Sequence, residues 1–233
     1  MGFGATTGVF VTGTDTGVGK TLAACALLHA FAARGLRAAG MKPVAAGARR
    51  CNEGLINEDV EQLLAASSVT VSRQSINAYM FEPPIAPHIA ARLAGVDIEL
   101  ATLARAYRRL AHQADVVVVE GVGGFCVPLN DRDDTGDLAA LLGLPVVLVV
   151  GVRLGCLNHA LLTAAEIERR GLVLAAWIAN HVDPDMTHAD DNIAALGERL
   201  HAPCLARIPF RRAPQWRKTA RFFDIGPLLC KAR

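Results

Sequence analysis

Val9-Phe10-Val11-Thr12-Gly13-Thr14-Asp15-Thr16-Gly17-Val18-Gly19-Lys20-Thr21-Leu22-Ala23-Ala24 is the stretch whose reading decides the fold. An apolar run stops at a glycine-rich turn, and an alanine- and leucine-rich run starts directly after it. The order is strand, turn, helix. Backbone N–H groups in such a turn converge on phosphate oxygens, with the positive end of the helix dipole behind them. Lys20 is placed to reach the β- and γ-phosphates, and the Thr21 hydroxyl to ligate Mg2+. The expected ligand is a nucleoside triphosphate. The spacing departs from the usual P-loop pattern, because Gly13 and Gly19 enclose five residues rather than four and Thr14 holds the first glycine position. Gly17 adds backbone freedom inside the loop. A glycine-rich surface turn beside a solvated lysine is the plain alternative, and the flanking strand and helix patterns weigh against it.

Apolar and amphipathic segments alternate outward from this loop. Strands are expected at Gly8–Gly13, Leu36–Met41, Asp115–Glu120, Pro145–Val150, Val173–Asn180 and Cys204–Ile208. The runs Val116–Val119 and Val146–Val150 are apolar without alternation, as in parallel strands covered on both faces. Helices are expected at about Lys20–Arg34, Asp59–Ala66, Ile98–Gln113, Gly136–Leu142, Asn158–Arg170 and Thr187–Leu200. The pattern predicts an α/β fold: a P-loop NTPase-type, doubly wound and mainly parallel sheet flanked by helices. A single domain spanning residues 1–233 is expected, with no internal linker. The stretch from Ala45 to Ala94 is less regular, and Pro83, Pro84 and Pro87 exclude a regular element through its middle. Pro87 is placed to start a helix through Leu93. This stretch either covers a substrate site or forms a stiff crossover. In the tail, Gly226 and Pro227 are expected to interrupt any helix, and its apolar residues to pack on the domain.

Composition narrows the partners. Hydrophobic residues make up 52% and charged residues 20% of the chain, and the formal net charge is +2. Neither nucleic acid nor a membrane is expected as a partner. Six cysteines stand without a C-x-x-C pair, which argues against a zinc or redox motif and for reduced thiols in the cytoplasm.

In open α/β sheets ligands bind beyond the carboxyl ends of the strands. Polar residues gather at those ends here: the P-loop, Lys42 before Pro43, Glu120 before Gly121-Val122-Gly123-Gly124, and Asn180. An acid after four valines suits Mg2+ beside a P-loop. A surface acid capping the strand is the alternative. Asp59 is either a second carboxylate ligand or the cap of its helix. Asn180 carries the donor–acceptor pair that complements the N6/N7 edge of adenine, or is a plain turn asparagine. Lys42 is placed to stabilise the γ-phosphate region, or is a solvated strand-end lysine.

Gly13-Thr14-Asp15-Thr16-x-Val18-Gly19-Lys20-Thr21, Lys42-Pro43-Val44, Glu120-Gly121-x-Gly123-Gly124, Val149-Val150-Gly151-Val152, Leu154-Gly155-Cys156-x-Asn158-His159 and Ala179-Asn180 together resemble the ATP-dependent dethiobiotin synthetases. The resemblance runs from about Val9 to Phe210 and includes the five-residue glycine spacing. It implies an ATP- and Mg2+-dependent cyclo-ligase. In that reaction 7,8-diaminononanoate and CO2 form a carbamate, ATP phosphorylates it, and the second amine closes a ureido ring. The implied catalytic residues are Lys42 and Lys20, and the implied metal ligands are Thr21, Asp59 and Glu120. Gly17, Val18, Gly19, Lys20 and Thr21 would hold phosphates, with Gly121, Val122 and Gly123 alongside. Asn180, His181, Pro209 and Phe210 would surround the base. Thr16, Lys42 and Ala46 would lie on the substrate, and Gly155, Cys156, Leu157 and Asn158 would hold its carboxylate across a homodimer interface. Ala46 stands where relatives often have serine, Arg153 where lysine is common, and Phe210 where tryptophan is common. A partition- or septum-site-type ATPase switch is the rival reading. That class carries a lysine five positions before the P-loop lysine, and here the position is Asp15.

Overall fold

The computed structural model describes residues 7–52 and 54–230; the remainder of the expected 1–233 domain lies outside the described residues. Along the chain come β1 (Thr7–Gly13), α1 (Lys20–Ala32), β2 (Ala38–Met41), β3 (Val44–Ala46), β4 (Arg49–Cys51), β5 (Gly54–Ile56), α2 (Glu58–Ala66), α3 (Arg73–Ile76), β6 (Tyr79–Phe81) and α4 (Pro87–Leu93). There follow α5 (Leu100–Ala111), β7 (Val116–Glu120), α6 (Thr135–Leu142), β8 (Val146–Val152), α7 (Cys156–Arg169), β9 (Leu174–His181), α8 (Ala189–Arg199), β10 (Cys204–Ile208), α9 (Trp216–Thr219) and α10 (Gly226–Cys230).

Six strands form one sheet in the order β10-β9-β8-β1-β7-β2, and every pairing is parallel. From β1 the chain crosses to β2 on one side, and β8, β9 and β10 extend the sheet on the other. The P-loop leaves β1 where the winding reverses, the place at which a doubly wound sheet opens a crevice. Thr12, Leu148 and Trp177 are register partners across β1, β8 and β9, and all three are buried. At the other side Met41 pairs with Val119, so the residues that follow, Lys42 and Glu120, emerge side by side.

The expected strands and long helices are present, with ends shifted for local reasons. β8 runs two residues further, because Gly151 and Val152 pair with Asn180 and His181. Accordingly α7 begins at Cys156 rather than Asn158, after Gly155 turns the chain at φ 92°. β2 starts at Ala38 rather than Leu36: Arg37 is instead held by Asp115, whose Oδ2 accepts from its backbone N–H at 2.9 Å. α8 starts at Ala189 rather than Thr187, because His188 takes the left-handed conformation at φ 58°. α4 starts at Pro87 as expected.

Two small sheets were not expected. β3 pairs with β6 in parallel, and β4 with β5 as a hairpin. Alternating patterns are invisible in strands this short. The tail does pack on the domain, burying Ile225 and Leu228. Its Gly226-Pro227 starts α10 rather than interrupting a helix, because proline is tolerated in a first turn.

Leu148 sits fully buried in the centre of the sheet. Leu148→Ala should lower unfolding free energy by about 2–5 kcal/mol in urea titrations. A loss well below about 1 kcal/mol would contradict a close-packed centre.

Candidate active site

The P-loop is fastened to its neighbours before any ligand arrives. The Thr14 N–H donates to Val149 O at 3.0 Å, and the Gly151 N–H donates to Thr14 Oγ1 at 3.3 Å. Gly19 precedes α1 at φ 90°, a conformation that favours glycine. A Cβ there would also run into Asn180 Nδ2. Lys20 is buried, and its Nζ donates to the loop's own Asp15 carbonyl at 2.8 Å. Burial and the nearby Lys42 charge pull its pKa down to about 8.

Lys42 and Glu120 meet at the ends of β2 and β7. Lys42 Nζ lies 2.5 Å from Glu120 Oε1, 2.9 Å from Asp59 Oδ2 and 3.3 Å from Gly121 O. Lys42 is 3% and Glu120 1% exposed, so neither is a solvated strand-end charge. Burial works against the Lys42 ammonium, but Glu120 and Asp59 outweigh it and hold it above the usual lysine range. Burial pushes the Glu120 carboxyl up, against the pull of Lys42. Burial also opposes the charge on Asp59, yet Lys42 and the Thr21 hydroxyl hold that carboxyl below its ordinary value.

Asp59 is not the residue that caps its helix. Asn57 caps α2, its side chain accepting from the Asp59 and Val60 N–H groups at 3.1 and 3.4 Å. The Asp59 carboxylate is thereby free to face the site. The same Asn57 donates from Nδ2 to Ala46 O at 3.2 Å, tying the start of α2 to the end of β3. Asn57 escaped the sequence reading, although an asparagine before Glu58-Asp59 is a helix-start signal.

The donor set suits Mg2+. Thr21 Oγ1 lies 2.8 Å from both Asp59 Oδ1 and Glu120 Oε1, yet a hydroxyl has one proton to give. Glu120 Oε2 is buried without a hydrogen-bond partner. Among the described residues no group of three or more His, Cys, Asp or Glu is spaced to hold a metal alone. Two carboxylates and a hydroxyl, all hard oxygens, match an ion that takes its other ligands from phosphate and water.

A cavity of about 740 Å³ opens over this cluster. It brings together Thr16, Gly17, Gly19, Lys20, Thr21, Lys42, Ala46, Asp59, Glu120, Val122 and Gly123 of the expected site. Pro84, Ile85, Ala86 and Pro87 line it too, so the proline-rich stretch covers the site. Val127 joins them from beyond the glycine run. His88 faces a separate cavity beside Asp97 and Asp131, and His159 is exposed; neither is placed as a proton shuttle here.

Other expected residues lie apart from this cavity. Asn180 is buried behind the P-loop, where one N–H of its Nδ2 donates to Val18 O at 2.8 Å. His181 adjoins it, half-buried, and Pro209 and Phe210 are exposed after β10. Gly155 and Asn158 are exposed, Leu157 is half-buried and the Cys156 side chain is buried. The Cys156 N–H already donates to Arg153 O at 3.0 Å, which removes one expected anion donor.

Known proteins resemble this chain in sequence and in fold. The AAA domain family matches residues 7–217. The ATP-dependent dethiobiotin synthetase BioD of Nitrosospira multiformis is 52% identical over 226 residues, covering 97% of each chain. Its counterpart in Ralstonia nicotianae is 54% identical over 222 residues, 95% of this chain and 97% of the relative. Among solved structures, the MinD cell division protein of Aquifex aeolicus superposes with a TM-score of 0.53 at 14% identity, over 88% of this chain and 83% of its own. The septum site-determining MinD of Pyrococcus horikoshii gives a TM-score of 0.51 at 16% identity, over 87% and 81%. Identities that low show a shared fold and nothing finer.

Gly19→Ala should weaken ADP binding roughly tenfold or more, since it strains the loop by about 1–3 kcal/mol and pushes on Asn180. Calorimetric titration of a variant with unchanged circular dichroism checks this; an unaltered Kd would contradict the packing described.

Proposed function

This chain belongs to the ATP-dependent dethiobiotin synthetase family, and we propose that its reaction runs at the cluster of Lys20, Thr21, Lys42, Asp59 and Glu120. The chain is an ATP-dependent ligase that closes the ureido ring of dethiobiotin from a diamine. The observation that carries the site assignment is the 2.5 Å contact between buried Lys42 and Glu120, over a cavity also lined by Lys20 and Thr21.

The acceptor is 7,8-diaminononanoate together with CO2. An amine attacks CO2 and loses a proton, giving a carbamate. A carbamate oxygen attacks the γ-phosphorus, ADP leaves, and a carbamic–phosphoric anhydride remains. The second amine attacks the carbonyl carbon and gives up a proton, and phosphate departs with the oxygen that came from CO2. Lys20 stabilises the phosphate charge, and Lys42 stands between the carboxylates and the acceptor oxygen. Thr21, Asp59 and Glu120 hold Mg2+, which supplies charge neutralisation on the triphosphate. Alignment of carbamate and phosphate contributes up to roughly 7–11 kcal/mol in favourable cases. Pro84, Ile85 and Val127 offer an apolar wall for the aliphatic chain. Gly17 to Thr21 with Gly121 to Gly123 receive the phosphates, and Asn180, His181, Pro209 and Phe210 receive the base.

A homodimer completes the site in this reading. The start of α7, Gly155 to Asn158, lies outside the chain's own cavity and beside Leu154, whose exposure reaches 91%. That surface fits a second copy, with the helix start turned to the substrate carboxylate of the partner. A single domain in the cytoplasm suits the free cysteines Cys25, Cys51, Cys126, Cys156 and Cys204. No described helix is long and apolar enough to cross a membrane. A septum-site-type switch is disfavoured because Asp15 holds the place of that class's lysine and pairs with Arg153 at 2.5 Å.

With 18O-labelled CO2 in a brief assay, the released phosphate should carry the label; unlabelled phosphate accompanying ring closure would exclude the anhydride. Lys42→Met should reduce ADP release by about 100-fold or more while ADP binding persists. Full turnover in that variant would remove Lys42 from the chemistry.

A further inference from the structure

The cavity wall beyond Gly123 is held from behind by side chains that do not themselves line the cavity. Gly121 to Gly124 leave β7 with no regular structure, and the chain reaches α6 only at Thr135. Four backbone groups of this loop converge on Thr135, which is 1% exposed. Thr135 Oγ1 lies 2.5 Å from Phe125 O and 3.2 Å from Gly124 O, and it accepts from the Val127 N–H at 3.2 Å. The Thr135 N–H donates to Val127 O at 3.0 Å. Gly124 and Val127 are both cavity wall.

What holds Thr135 is its neighbour Asp134, gripped from outside by Arg170. Arg170 Nη1 and Nη2 donate to Asp134 Oδ1 and Oδ2 at 2.6 and 2.7 Å, a two-pronged contact. Asp134 Oδ1 also accepts from the Gly136 and Asp137 N–H groups at 2.8 and 3.0 Å, capping α6. Arg170 further donates to Asp137 Oδ1 at 3.0 Å and to Glu166 Oε1 at 2.7 Å. Its guanidinium carbon lies 5.6 Å from the centre of the Phe125 ring, on the loop itself. A Cβ on Gly136 would come within 2.6 Å of Arg170 Nη1, so the guanidinium lies flat on the first turn of α6. The side chain is 15% exposed, which separates this network from a solvated surface pair.

We propose that Arg170 is a positioning residue for the acceptor half of the site, acting through Asp134, Thr135 and Phe125 on the Gly124–Val127 part of the wall. It rests on the reading that the diamine occupies the cavity beside that wall. The nucleotide half is held by other partners: the P-loop is hydrogen-bonded to β8 and to Asn180, and among the described residues none of its hydrogen bonds goes to Arg170, Asp134 or Thr135. The expected signature is therefore a loss on one substrate only. A planar fork is required, because a lysine ammonium cannot make two parallel bonds to one carboxylate.

The experiment compares Arg170→Gln, Arg170→Lys and Asp134→Asn in the full chain. Steady-state kinetics are varied in diamine and in ATP separately, with ADP affinity by calorimetry and Tm for each variant. Arg170→Gln should raise KM for the diamine roughly tenfold, while KM for ATP and Kd for ADP move less than about twofold. Arg170→Lys should restore little of the loss. Asp134→Asn keeps the helix cap, since asparagine caps as well as aspartate. It should raise the diamine KM several-fold, and in combination with Arg170→Gln the effects should not add. If Arg170→Gln does not fold, Asp134→Asn decides alone. An unchanged diamine KM in a folded variant overturns the proposal, as does a parallel loss in both substrates that follows Tm. Failure of the underlying reading is seen separately, as wild-type protein without diamine-dependent ADP release.

Discussion

The contact between Lys42 and Glu120 is the constraint on which the rest of the site depends. It follows from strand register: Met41 pairs with Val119, and the next residue on each strand carries a charge into a buried place. Neither charge is tolerable there alone, and removing one member of such a pair typically destabilises by about 3–5 kcal/mol. Asp59 and Thr21 complete the arrangement from α2 and α1. The P-loop is therefore built against a cluster whose charges already face where a triphosphate would lie. Preorganisation of this kind means that little has to be rearranged when charge develops in the transition state.

Around that cluster the molecule divides its labour. β1, β8 and Asn180 hold the phosphate loop. The proline-rich stretch and the loop after β7 shape the other side, and they contribute mostly backbone and apolar atoms. Small polar side chains then fix this irregular wall from behind. Asn57 grips Ala46, Asn77 donates to Lys42 O at 2.7 Å, and Thr135 gathers the turn at Phe125. Each fixes a backbone carbonyl at or next to the cavity lining.

Much of this was legible before the fold was seen. Continuous valine runs marked the central strands, because a strand covered on both faces has no polar side to show. Lys20, Thr21, Lys42 and Glu120 were legible because each ends a strand or opens a helix, where a doubly wound sheet places its ligand. The three-residue strands β3 to β6 were not, since so few residues show no period. Nor were Asn57, Val127 and Arg170 as parts of the site. Arg170 reads as a polar residue at the end of α7, and nothing local reveals that Asp134, 36 positions earlier, waits for its guanidinium. The proline-rich stretch was ambiguous for the same reason: prolines state what the backbone cannot do, and the cavity beneath them is made by other segments.

The central claim is that Glu120, with Asp59 and Thr21, holds a divalent ion on the triphosphate while Lys42 balances the carboxylates. Its most direct test is the binding of a non-hydrolysable ATP analogue, measured calorimetrically with and without Mg2+, in wild-type protein and in Glu120→Gln. The account predicts that Mg2+ tightens binding to the wild type by roughly tenfold or more, and that this gain disappears in Glu120→Gln while metal-free binding persists. A Glu120→Gln variant that keeps the whole Mg2+ effect would contradict it.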